Sequence, residues 1–365
     1  MENKRIDVKN IVKHFSPAWY ASVMGTGGMA NVLYLLSENM KFLKPFALGI
    51  FWLNIALFII FIVPWTLRWF FHFDSVLKDL KHPVMSNFFV TMPIGALIIG
   101  TNLFVMGKDY FSMAFIINLG LVLWSFGAIM SLYFGVYVMY NLLAKESVSF
   151  EAKNFSWLIT PVASIILPLL GNMLVKVYFI SNVSLAKFIN IIDISFFGTG
   201  FMLFVILTTI IFRRFIVNKM PPSMVAPTFW ILIGPIGIGT VSLMGLADAS
   251  KLLGLISDVS TIKLLSLMFW GFGMWAFFLI LAITFTYMKA GKIPFSLSWW
   301  AFIFPMSAYT LSALKVYAYT KVSFLQWYAV ILAVILVYLW IITFVKSVVG
   351  TLNGKLLVPP TMKNK

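Results

Sequence analysis

Long apolar runs recur along this 365-residue chain, and short polar gaps separate them. A bilayer core of ~30 Å takes about 20 apolar residues as a helix, and closed helical hydrogen bonding is the cheap way to cross lipid. Ten runs meet that length: 17–36, 46–67, 84–106, 113–143, 157–175, 191–212, 225–247, 264–288, 296–314 and 324–345. The fourth is long enough to tilt or to protrude. The short gaps leave no room for a soluble domain, so the pattern predicts one all-α transmembrane domain over 1–365.

Proline divides the runs into two kinds. Inside a helix, proline removes a backbone hydrogen bond and clashes with the preceding turn, which bends the helix. Deep prolines fall in odd-numbered runs: Pro93, Pro161 with Pro168, Pro235 and Pro305. The first run has none but carries Gly25, Gly27 and Gly28, which also loosen a helix. Each odd run follows a lysine (Lys13, Lys81, Lys153, Lys219, Lys292), and four of the five have a proline near the start. The repeat predicts five helical hairpins, with kinked members forming an inner ring and straighter ones facing lipid. Five helices at ~10 Å spacing leave a lumen of roughly 3–4 Å radius, which one phenyl ring could plug.

Composition narrows the chemistry. Hydrophobic residues make up 61% of the chain and charged ones 10%, and the mean hydropathy is +0.98, which excludes a soluble enzyme. The net charge of +16 sits in the polar gaps, so it reads as a topology signal and not as a nucleic-acid surface. Eighteen of the 27 Lys and Arg lie on the side of the termini, which predicts cytoplasmic termini in a cell-membrane protein. There is no cysteine. The three histidines lie in gaps, and no cofactor or metal motif has usable spacing.

No ionisable residue falls in the central part of any predicted span, which weakens a proton-driven mechanism. Both mouths of the predicted ring are basic. Lys13, Lys81, Lys153, Lys219 and Lys292 lie on one side, and Lys41, Lys108, Lys176, Lys251 and Lys315, one per hairpin, lie on the other. Such vestibules concentrate anions and repel cations. Acidic neighbours, Asp193 and Asp248 among them, blunt the outer set.

Two stretches carry a resemblance. Met220-Pro221-Pro222 through Gly234-Pro235, and Pro294-Phe295 through Trp299-Trp300 to Phe304-Pro305, resemble helices seven and nine of the tellurite-resistance/dicarboxylate transporter family. Phe15-Ser16-Pro17 with Met24-Gly25-Thr26-Gly27 is similar to that family's first helix. The family includes bacterial tellurite-resistance proteins, yeast malate and sulfite permeases and plant slow anion channels. The resemblance implies a homotrimer in which each subunit has its own uncharged pore, closed by a phenylalanine of the ninth helix. That residue aligns with Phe304, with Phe302 as the alternative.

The sequence therefore predicts a passive channel or uniporter for small inorganic or organic anions, embedded in membrane lipid. A C4-dicarboxylate or sulfite carrier, coupled to protons, is the second reading. An integral-membrane enzyme is the third; its sole support is the loop cluster His72, Asp74, Asp79 and His82.

Overall fold

The structure is a computed structural model, and it describes residues 8–144, 148–149, 152–291 and 293–357. Among these residues there are thirteen α-helices and no strand. They are α1 (Val8–Lys13), α2 (Tyr20–Leu36), α3 (Leu43–Phe71), α4 (Phe73–Leu80), α5 (Thr91–Met106), α6 (Met113–Leu143) and α7 (Ile159–Ile165). The rest are α8 (Leu167–Ser181), α9 (Val183–Val217), α10 (Ile233–Leu252), α11 (Ser260–Ala290), α12 (Trp300–Thr320) and α13 (Ser323–Leu352).

Burial alternates along the chain. The membrane windows of α3, α6, α9, α11 and α13 are only 17–33% buried, whereas the segments Met85–Asp109, Phe155–Ser181 and Ser223–Leu252 are 83–89% buried. Helices surrounded by lipid must be apolar over their whole circumference; helices surrounded by protein need not be. That difference explains why eight helices, and not ten, are long and apolar enough to cross a membrane among the described residues. The two others, α2 and α12, are mostly buried and carry Thr26, Asn31, Ser307, Thr310 and Ser312. Ser307, Thr310 and Ser312 donate to carbonyls one turn back in α12, so these hydroxyls need no outside partner.

The buried helices touch in a closed circuit: α2 on α5, α5 on α8, α8 on α10, α10 on α12, and α12 on α2. Each also packs on the long helix that follows it, α2 on α3, α5 on α6, α8 on α9, α10 on α11 and α12 on α13. Small residues set the spacing. A Cβ at Gly237 of α10 would lie 2.5 Å from backbone atoms of Ala308 and Tyr309, so α10 and α12 meet backbone to backbone.

The prolines act differently from the expected mid-helix kinks. Pro93, Pro161 and Pro235 are each the third residue of an α-helix, and Pro168 is the second residue of α8. The first four N–H groups of a helix have no intrahelical acceptor, so proline there costs no hydrogen bond. Short 3-10 segments precede α2, α5, α7, α10 and α12, at Pro17–Trp19, Met85–Val90, Phe155–Leu158, Ser223–Leu232 and Leu297–Trp299. Pro93, Pro161 and Pro235 thus mark a change of helix type, from a 3-10 lead-in to an α-helix. At Pro168 the bend is the break at Ile166 between α7 and α8. Of the five expected kink prolines, Pro305 alone lies beyond a first turn, inside α12; Pro64 is likewise interior to the exposed α3. The glycines of the first span also do other work. α2 runs unbroken through Gly25, Gly27 and Gly28, and Cβ atoms there would strike Ile303, Asn54 and Ser307 respectively.

At the face that carries both termini, Arg68 ends α3 and is buried. Its Nε donates to the carbonyl of Lys13 at 3.1 Å, and its guanidinium also reaches the carbonyl of Ser75 at 3.2 Å and the Asp79 carboxylate at 2.6 Å. One cation thereby ties α1 and the amphipathic α4 to the bundle.

Candidate functional site

At the termini face of the circuit, the five buried segments surround one cavity of about 40 Å³. Each contributes a pair of residues three apart: Ala21 and Met24, Phe88 and Thr91, Ile159 and Val162, Ile231 and Gly234, Ala301 and Phe304. Side chains three apart eclipse in a 3-10 helix, which is the form in which these segments begin or from which they have just emerged. The pairs read as two tiers, and the inner one holds Met24, Thr91, Val162, Gly234 and Phe304. The volume has room for only two or three waters, at about 10–15 Å³ each.

The lining presents carbon. Thr91 Oγ1 bonds to the carbonyls of Pro17 and Phe88 at 2.8 and 2.6 Å, and Thr228 Oγ1 donates to the Val225 carbonyl at 2.7 Å. Hydroxyls turned to backbone leave an uncharged, apolar lining.

The two candidate phenylalanines part here. Phe304 lines the cavity beside Pro305. Phe302, two residues earlier, points instead into an aromatic wall, with its ring centroid 5.3 Å from that of Trp230 and 5.6 Å from that of Trp299.

The charges are distributed less evenly than expected. Lys13 ends α1, Lys81 and Lys153 flank the lead-in segments, and Lys219 accepts a bond from Arg214 through its carbonyl. Lys292 lies outside the described residues. On the opposite face Lys41 and Lys108 follow the helices α2 and α5, but Lys251 lies in the last turn of α10, where a cation suits the helix dipole, and Lys176 and Lys315 lie further inside α8 and α12. Lys315 is half-buried and feels Asp248, Lys176 and Lys263. Lys263 bonds Asp248 at 2.9 Å and sits over the Tyr319 ring. Three lysines share one carboxylate, so that side of the mouth remains positive.

Asp193 corrects the expected charge map. It belongs to the interior of α9 and is wholly buried. Its Oδ1 accepts from the Trp124 indole at 2.9 Å, its Oδ2 has no partner, and the carboxyl occupies the space left by the missing side chain of Gly171. The α9 sequence around it, Asn190-Ile-Ile-Asp193-Ile, carried a signal, since polar residues three apart among isoleucines mark a buried polar stripe.

The loop cluster has structural duties. Asp79 holds Arg68, and His82 Nδ1 accepts from the N–H groups of Val84 and Met85 at 3.2 Å each.

Long apolar helices that alternate between buried and exposed, around an apolar cavity, fit a multi-pass membrane protein that passes a small solute. Residues 14–348 match the voltage-dependent anion channel family (SLAC1), and the chain belongs to that family. It is 36% identical over 348 residues to the uncharacterized transporter MJ0576 of Methanocaldococcus jannaschii, covering 95% of this chain and 96% of that protein. It is also similar to the sulfite efflux pump SSU1 of Trichophyton rubrum, at 25% over 349 residues (92% of this chain, 91% of the pump). The malic acid transport protein of Schizosaccharomyces pombe is 20% identical over 366 residues, covering 95% of this chain and 81% of that protein. The family and these relatives are channels and transporters.

Proposed function

We propose that the chain is a passive anion channel of the cell membrane. Ten helices cross the bilayer as five hairpins, and the bent members form a ring around an uncharged pore that Phe304 closes. Both termini face the cytoplasm, and three copies assemble with a pore in each. The observation that carries this reading is the apolar cavity to which all five bent segments bring a residue pair and into whose inner tier Phe304 reaches. Lysines beyond the pore ends raise the local anion concentration. No charge in the constriction holds an ion once it enters, which suits conduction better than storage. The test is reconstitution in liposomes with reversal potentials for chloride, nitrate, sulfite and malate. Reversal at the anion equilibrium potential is expected, and a cation-following potential overturns the reading.

A second reading, a proton-coupled carrier of malate or sulfite, draws on Asp193, since a buried carboxyl inside a membrane helix is a common mark of proton coupling. Anion uptake that stops when the pH gradient is removed at fixed membrane potential selects the carrier; uptake that continues selects the channel.

A further inference from the structure

The lipid-facing helices leave one long seam. α13 packs on α12 and α2, and α3 packs on α2, so α2 forms the floor of a groove between α3 and α13. Towards the face opposite the termini the groove holds about 440 Å³ beside Gly49 and Trp340. Towards the termini it holds about 310 Å³, walled by Leu57, Ile60 and Phe61 of α3 and by Phe344 and Val348 of α13. The two halves abut within one turn, at Leu53 to Leu57 on α3 and Ile341 to Phe344 on α13.

Trp300 belongs to both compartments. Its side chain lines the termini-side half of the seam and also the pore cavity. Its indole Nε1 donates to Ser347 Oγ of α13 at 3.1 Å, which makes this one side chain the partition between lipid and lumen. The seam's hydroxyls all have partners: Ser347 accepts from Trp300, Ser22 donates to the Trp19 carbonyl, and Thr351 donates to the Ser347 carbonyl. What remains is a hydrocarbon slot at membrane depth. Exposed Lys13 and Lys355 stand next to its end, close in sequence to the lining residues Ile11 and Leu357.

We propose that the termini-side half of this seam binds an acyl chain of an anionic phospholipid, which bears on Trp300 and thereby sets how tightly the pore cavity closes. The chain satisfies a narrow slot whose lining is almost wholly apolar. The phosphate meets the lysines at the rim, since basic residues near the membrane surface attract anionic headgroups. The effect on flux rests on the pore reading; the lipid site itself does not.

Two variants fill the slot from opposite walls, Ile60→Trp and Val348→Trp, both at exposed positions that a larger side chain reaches without displacing the core. Native mass spectrometry of the full-length protein with phosphatidylglycerol is expected to find a retained lipid on the wild type and its loss from each variant. In vesicles, wild-type anion flux is expected to change several-fold between phosphatidylglycerols with saturated and with unsaturated chains, and flux through the variants to be indifferent. Lipid retained by both variants overturns the proposal, as does wild-type flux that ignores chain type. A change in oligomer mass in the variants with lipid retained also overturns it, because a second copy is then the occupant. Absence of wild-type flux in every lipid refutes the pore reading instead, while lipid retention still judges the site.

Discussion

Phe302 and Phe304 are two residues apart, equally buried and chemically identical, yet their surroundings assign them opposite tests. Phe302 is clasped by Trp230 and Trp299, so Phe302→Ala removes core packing and is expected to cost about 3–5 kcal/mol of stability without raising flux. Phe304 faces the cavity, and on the proposed reading Phe304→Ala raises anion conductance about tenfold or more, equivalent to ~1.4 kcal/mol off the barrier. Single-channel or flux assays at matched expression separate the two, and unchanged conductance in a well-folded Phe304→Ala protein refutes the gate. Asp193 yields a second residue-scale prediction. A Cβ at Gly171 would overlap the Asp193 carboxyl, so Gly171→Ala is expected to lose about 1–3 kcal/mol by overpacking. Adding Asp193→Ala vacates the space, and thermal melts of the double variant are then expected to recover part of that loss; strict additivity contradicts the contact. The sequence alone made Asp193 the third residue of the run 191–212 and grouped it with the acids of the outer face, because that run starts eight residues later than α9 does. Hydropathy does not register that Trp124 and Gly171, far away in sequence, build a niche for the carboxyl.

At the scale of the helices, the structure shows an alternation of buried and exposed members, and prolines in the runs of the buried ones were the legible sign that two kinds of helix exist. Where those prolines fall within each helix was not legible. A proline in a long apolar run looks interior, but the preceding residues take up 3-10 form, so the α-helix begins only two residues before Pro93, Pro161 and Pro235. The choice between 3-10 and α depends on neighbours such as Pro17, whose carbonyl takes the Thr91 hydroxyl. The contact glycines are equally non-local, and α10 tests them. A Cβ at Gly237 meets the backbone of Ala308 and Tyr309, which cannot step aside, whereas one at Gly234 meets Pro305 at an ordinary 3.5 Å. Gly237→Ala is therefore expected to force α10 from α12 and lower the melting temperature sharply, by the equivalent of at least ~1–3 kcal/mol. Gly234→Ala is expected to fold normally. Because Gly234 also lines the inner tier of the cavity, that variant is expected to lower conductance while leaving stability intact. Equal melting behaviour of the two variants contradicts the close approach of α10 and α12.

For the whole molecule, the N-terminal helix α1 and α4 are joined to the bundle through a polar knot, and this gives the fold a pH dependence with a definite sign. His14 lies beside Lys13, at the end of α1, and faces Arg68 and His72 from α3 and its end and Asp79 from α4. Partial burial, followed by the Lys13 and Arg68 cations, holds its imidazole below the ordinary value, with Asp79 opposing them. The unfolded chain therefore binds the proton more readily than the folded one. The contribution of a neutral His14 is complete above a pH of about 6.5 and is lost as the pH falls towards the lowered folded value. Melting temperatures of the detergent-solubilised protein are expected to drop as pH falls from about 7.5 to about 5.5, and His14→Gln, which never takes the proton, is expected to flatten that drop. Arg68→Ala tests the same knot differently. It releases the Lys13 and Ser75 carbonyls and the Asp79 carboxylate together, so its loss is present on both sides of the histidine transition, and limited proteolysis is expected to cut at α1 or α4 before the core. An identical pH profile in wild type and His14→Gln would place the acid sensitivity elsewhere, with Arg68 and the buried Val12, Val76 and Leu80 still fastening α1 and α4.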